Sequence, residues 1–179
     1  MITARYDLLD GPALRLTITT TTDAPTIVNA TNHSYWNLDG TTTFDGHLMR
    51  IAADQYLPTD ADALVTGDIC DVTDTAYDFR QPSPLRTNTP PLDNTFCVAK
   101  GRRDLTECFW VQGACGARMA VATTEAGVHV YDARHAGHTG FAIEAQMWPD
   151  APNHPNFPSI EITPDTPAVQ MTEWRFSKP

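Results

Sequence analysis

The chain has 179 residues, a formal net charge of −10 and a sequence pI of about 4.8. Hydrophobic residues make up 41%, which supports a packed core and excludes a disordered chain. The acidic balance leaves no basic footprint for a phosphate backbone, so nucleic acid is not expected as a partner, and it argues equally against docking on anionic lipid.

No apolar run is long enough to span a bilayer, and the opening MITARYDLLDG lacks the basic-then-apolar pattern of a signal peptide. No membrane partner is expected. Cys70, Cys97, Cys108 and Cys115 form no C-x-x-C pair and have no zinc-ligand spacing around them. Their plain reading is reduced thiols in a cytoplasmic protein.

Residues 13–19, ALRLTIT, alternate: Leu14, Leu16 and Ile18 share one side and Arg15 and Thr17 the other, as in a half-buried strand. A polar turn over 20–25 leads to a strand start at 26–30. That strand delivers NATNHSYWNLDG, residues 29–40, closed by the turn signal Leu38-Asp39-Gly40. HLMRIAA, residues 47–53, reads as a strand and the stretch from Tyr56 to Asp60 as a loop. Residues 64–72 are short and broken by Gly67. Pro82, Pro84, Pro90 and Pro91 exclude helix interior and central strand, leaving a surface crossover or a segment over an open face.

Strands are expected at 94–98, 106–111, 118–123 and 128–133, separated by Gly-containing turns. FAIEAQMW, residues 141–148, alternates again, with Phe141, Ile143 and Ala145 opposite Ala142, Glu144 and Gln146. A Pro/Asn loop over 149–158 precedes strands near 159–163 and 169–176. No segment carries an apolar stripe of helical period. Many short strands with frequent turns predict an all-β sandwich or barrel in a single domain over 1–179.

Three residues stand out for chemistry. His33 lies amid Asn32, Ser34, Tyr35, Trp36 and Asn37, a mixture suited to a sugar: rings cover C–H faces and amides bond hydroxyls. Its imidazole can move a proton near neutral pH; alternatively it is a hydrogen-bonded histidine at a strand end. Glu144 sits mid-strand, where a buried carboxylate is costly unless paired or used; on a solvated face it would be ordinary. Asp93 precedes a strand, a common place for a turn residue bonding its own backbone. His129 lies opposite Val128 and Val130 in period two. His135 and His138, in DARHAGH, lack a third ligand at motif spacing and read as part of a polar loop. No G-x-S-x-G, phosphate loop, dinucleotide fingerprint or H-E-x-x-H occurs.

Taken in order, NATNHSYWNLDG, ADQYLPTDADALVTGDI, TAYDFRQP, LDNTF, TTEAGVHVYDAR and GFAIEAQMWPDAPNHPNFPS resemble the aldose 1-epimerase (galactose mutarotase) family. NHSYWNL and EAQMWPDAPNHPNFPS are the specific segments. The resemblance implies an antiparallel β-sandwich of the supersandwich type, with a monosaccharide site on the concave face of a broad sheet. It implies His33 as general acid, Glu144 as general base and Asp93 as a ligand of sugar hydroxyls, with no metal or organic cofactor. Mutarotation opens a cyclic hemiacetal, and a carboxylate and an imidazole on opposite sides of the ring would serve both directions.

The sequence departs from the family in three ways, one being the loop DARHAGHTG before the Glu144 strand, which members usually have longer. His129 stands where members commonly have a Gln that touches sugar, so it becomes a substrate-binding candidate with altered contacts. Members are also longer, and Met1 falls near their middle; the Asn-Arg pair and the further histidine of their upstream half are missing here. The chain thus resembles the C-terminal half of such a protein, truncated on its N-terminal side, with a homo-oligomer or a complementing N-terminal half as the partner this leaves room for. A carbohydrate-binding remnant without catalysis is the alternative function. The resemblance extends loosely to hexose-phosphate epimerases, whose phosphate needs a basic cluster; Arg102-Arg103 is the only local pair.

Overall fold

The computed structural model describes residues 1–85, 90–134, 137 and 139–178. Among these residues the strands form two large antiparallel sheets and a two-stranded ribbon, an all-β sandwich with one single-turn 3-10 helix at Ala151–Asn153. His135 and His138 lie outside the described residues.

The larger sheet has seven strands. Its backbone is β1 (Ile2–Leu9), β2 (Ala13–Thr20), β15 (Ala168–Ser177), β11 (Arg118–Thr123) and β10 (Thr106–Gln112), in that spatial order, followed by β5 (Leu48–Ile51) and β8 (Ser83–Pro84). The second sheet runs β4 (Tyr35–Trp36), β13 (Phe141–Gln146), β12 (Gly127–Tyr131), β9 (Asp93–Cys97), β6 (Gln55–Leu57) and β7 (Cys70–Asp71). The ribbon pairs β14 (Glu161–Ile162) with β3 (Thr26–Ile27).

Period two explains the packing. Phe109, Val111, Met119, Val121 and Trp174 of the seven-stranded sheet meet Phe96, Val128, Val130, Phe141 and Ile143 of the six-stranded sheet in one apolar core. Trp36 of β4 stacks at 6.1 Å on Trp174 of β15, tying the two sheets together. Each large ring so buried is worth roughly 2–3 kcal/mol of transfer free energy.

The alternating strands at 13–19, 118–123 and 141–148 form with small differences at their ends. Three other segments differ from the sequence expectation. Residues 2–9, not read as a strand, form the edge strand β1; Ile2, Ala4, Tyr6 and Leu8 alternate with Thr3, Arg5 and Asp7, a period-two signal present in the sequence although both faces are largely exposed. The stretch at Tyr56, read as a loop, contributes β6 through backbone pairing to β9. The proline-rich stretch supplies the edge strand β8, where the missing N–H of Pro84 faces no further strand.

Candidate active site

The face of the six-stranded sheet away from the core carries the polar side chains. Cross-strand register places Glu144 opposite His129 and His129 opposite Thr95; the next row sets Ala142 beside Tyr131 and Tyr131 beside Asp93. Side chains two apart on one strand share a face, so Asp93 and Thr95, His129 and Tyr131, and Glu144 and Gln146 project together.

His33 reaches this face by a different device. Asn29 imitates a backbone ladder: its Nδ2 donates to the Met147 carbonyl at 2.9 Å and its Oδ1 accepts from the Met147 N–H at 2.9 Å. The Thr31 hydroxyl donates to the Ala145 carbonyl at 3.1 Å. Tyr35 and Trp36 then pair conventionally with Ala142 and Phe141. The segment therefore runs antiparallel beside β13, and counting back from Tyr35 brings His33 level with Glu144. Its far end is held by His47, which is buried: Nε2 accepts the Leu38 N–H at 3.0 Å, which leaves Nδ1–H to donate to the Phe44 carbonyl at 3.0 Å.

All four residues singled out from the sequence meet here. His33 Nε2 lies 3.4 Å from Glu144 Oε1. His129 Nε2 lies 3.0 Å from Asp93 Oδ1, and its Nδ1 lies 3.1 Å from Thr95 Oγ1. The acid and base candidates stand side by side because neighbouring segments of the sheet give their side chains the same direction.

Glu144 is only 7% exposed although it faces away from the core. Burial pushes its carboxyl above the usual carboxylate range; His129 and then His33 draw it back down, and Asp93 adds to the rise. Rings of His33, Tyr35 and Tyr131 form an aromatic corner, with centroids 5.1 Å apart for His33–Tyr35 and 6.3 Å for His33–Tyr131. Thr95, Tyr131 and Gln146 were not singled out from the sequence; the period-two spacing from Asp93, His129 and Glu144 is the signal that would have found them.

A cavity of about 560 Å³ opens over Thr95, His129, Glu144 and Gln146, within the size range of small-molecule sites. Two loops wall it, one bringing Leu64 and Val65, the other Asp150 and Asn153. These loops are packed on each other: a Cβ on Gly67 would come within 2.5 Å of His154 Nδ1, and the Asn156 amide donates to the Gly67 carbonyl at 3.1 Å. Among the described residues no group of three or more His, Cys, Asp or Glu is placed to hold a metal ion, no helix is long and apolar enough to cross a membrane, and the four cysteines are free thiols.

Two antiparallel sheets with an imidazole–carboxylate pair on the covered outer face place the chain among the galactose mutarotase-like sandwiches. The GalM/aldose epimerase homologue of C. elegans superimposes with a TM-score of 0.90 at 28% identity, covering 99% of this chain and 59% of that one. Galactose 1-epimerase of Lactobacillus acidophilus NCFM shares the fold at a TM-score of 0.80, with 22% identity over 99% of this chain and 57% of its own.

The chain belongs to the aldose 1-epimerase family, whose pattern matches residues 2–169. It is 34% identical to galactose mutarotase of Homo sapiens over 94% of this chain and 55% of that protein. It is 28% identical to aldose 1-epimerase of Escherichia coli K12 over 97% of this chain and 58% of that protein. The chain thus spans about half the length of the curated relatives it matches.

Proposed function

We propose that this chain carries the proton-transfer half of an aldose 1-epimerase site and interconverts the α and β anomers of a free hexose or pentose. The observation that carries this reading is the 3.4 Å approach of His33 to Glu144, which lines a cavity with room for a monosaccharide. Ring opening removes the proton of the anomeric hydroxyl and protonates the ring oxygen. Both oxygens are bonded to the same carbon, so a base and an acid set side by side can each address one of them. Glu144 takes the hydroxyl proton; its partial burial makes it a stronger base than a solvated carboxylate. His33 delivers the proton to the ring oxygen. After rotation about C1–C2 the carbonyl closes on its other face, and both protons return by the reverse transfers. Asp93 binds sugar hydroxyls, and the aromatic corner covers a C–H face; His129, with one ring nitrogen on Asp93 and the other on Thr95, has none left for sugar and holds Asp93 in place.

Since the chain covers about half the length of its relatives, a complementing polypeptide or a second copy would supply further positioning groups. Exposed Ile2, Tyr6 and Leu8 on the edge strand β1 support such a partner. Losing positioning groups commonly costs orders of magnitude in rate, so weak mutarotase activity is expected from the chain alone, rising when the upstream half is supplied.

Polarimetry of fresh α-glucose and α-galactose with the purified chain, alone and with the upstream half of a relative, tests the reading. Faster mutarotation than buffer supports it. Sugar binding with no acceleration in either arrangement refutes it in favour of a carbohydrate-binding remnant.

A further inference from the structure

His129 is the centre of the polar row. It stands directly across from Glu144 on one side and from Thr95 on the other. A carboxylate oxygen accepts, so the bond of 3.0 Å to Asp93 Oδ1 is made by an N–H at His129 Nε2. Nδ1 faces the Thr95 hydroxyl at 3.1 Å. A hydroxyl donates to a bare ring nitrogen or accepts from a protonated one. The ring therefore keeps both hydrogen bonds, without moving, whether it is neutral or cationic. Thr95 is buried and His129 largely covered, so the pair is held in place.

We infer that His129 is a positioning residue that keeps Glu144 ionised, its imidazole fixed by Asp93 and Thr95 on β9 directly across the sheet from Glu144 on β13. Among the described residues the charged and titratable groups around it are Asp93 on β9, Glu144 on β13, Tyr131 on its own strand, Asp150 on the loop that walls the same cavity, and His33, which reaches Glu144 from the segment before β4. His33 is about half exposed and its charge is shared with solvent; His129 is 19% exposed and its charge is felt more strongly. The direction of the charge effects on Glu144 agrees, with His129 the larger of the two lowering influences. A neutral side chain at 129 could fill the same space and make the same hydrogen bonds, but could not compensate two carboxylates. The meaning of this for turnover rests on Glu144 acting as the base in the proposed function; the charge relation itself does not.

The test follows the Glu144 carboxyl by NMR in chain labelled with ¹³C-glutamate. The chain has five glutamates, and the resonance missing in Glu144→Gln identifies the one required. In His129→Gln the amide can still donate to Asp93 and accept from Thr95, so the network survives while the titratable charge goes. The Glu144 midpoint is expected to rise by about 1 pH unit, and the acid limb of kcat/KM to move up with it. His129→Asn is the second variant, with the same expectation, should the glutamine pack badly. An unmoved or lowered midpoint in a folded variant overturns the inference. The NMR readout needs no turnover: absence of mutarotation in the unmodified chain would refute the proposed function alone, while the Glu144 titration decides the part of His129.

Discussion

His33 Nε2 approaches Glu144 Oε1 to 3.4 Å because the segment before β4 runs beside β13 in a register set by Asn29 and Thr31. The contact joins a half-exposed imidazole to an almost covered carboxylate. Burial raises the Glu144 carboxyl, so folding favours its protonated form, and the ionised form costs stability above the raised pKa.

Glu144→Gln keeps the shape and removes the proton acceptor. Mutarotation by the chain should fall by roughly 100-fold or more, while stability at neutral pH, measured by urea unfolding, holds or rises slightly. Unchanged catalysis would remove Glu144 from its assigned role. In the unmodified chain the base must be ionised, so the rate should fall with decreasing pH, with a midpoint above the ordinary glutamate value of about 4.3.

His33→Asn should lower turnover while leaving sugar affinity within about tenfold. Titration calorimetry and polarimetry separate the two quantities. Lost affinity with retained turnover would make His33 a binding residue only.

Gly140 holds the entry to β13. A Cβ there would come within 2.6 Å of the Trp36 carbonyl oxygen, and backbone cannot swing aside as a flexible side chain can. Gly140→Ala should cost about 1–3 kcal/mol and loosen β4, reducing turnover because His33 is carried on the same segment. Urea unfolding checks the first effect; a variant as stable as the parent would show that β4 does not depend on this contact.

Asp39 anchors the other end of that segment. The Cys115 thiol and backbone N–H, with the Ala114 N–H, hold its carboxyl down to about 2. A depressed carboxylate contributes stability above its unfolded pKa and loses it as pH falls through the folded value. Asp39→Asn should therefore cost about 1.5–3 kcal/mol at pH 7, with the gap to the parent closing between about pH 4 and pH 2. Paired unfolding curves at the two ends of that window test this; a gap independent of pH would count against the carboxylate as its source.

The free edge of β1 carries Leu8 at 89% exposure, near Tyr6 and Ile2. Open apolar edges associate, so light scattering should find dimers or larger species, and Leu8→Lys should shift them toward monomer. A compact monomer at high concentration in the parent would show that the edge is silent.

Residues 118–123 and 141–146 announced themselves because one face is apolar and the period of two is local to the chain. The same local pattern put Glu144 beside Gln146 and away from Phe141 and Ile143, and the NHSYWNL and IEAQ motifs carried the family resemblance. Which strand lies next to which is a different kind of fact. β1 does alternate, Ile2, Ala4, Tyr6 and Leu8 against Thr3, Arg5 and Asp7, but the pattern does not say that its apolar face stays exposed at a sheet edge; β6 is a three-residue strand held by backbone bonds that any side chain permits, so it has no pattern to read. The partners of His129 were equally hidden. Its sequence neighbours are Val128 and Val130, whereas its charge environment comes from Asp93, Thr95 and Glu144, delivered by two other strands. Sequence by itself determined the strand-rich class, the faces of the long strands and the candidate proton carriers. Only the tertiary structure decided which of those carriers touch, because cross-strand register depends on turns and pairings far from the residues it brings together.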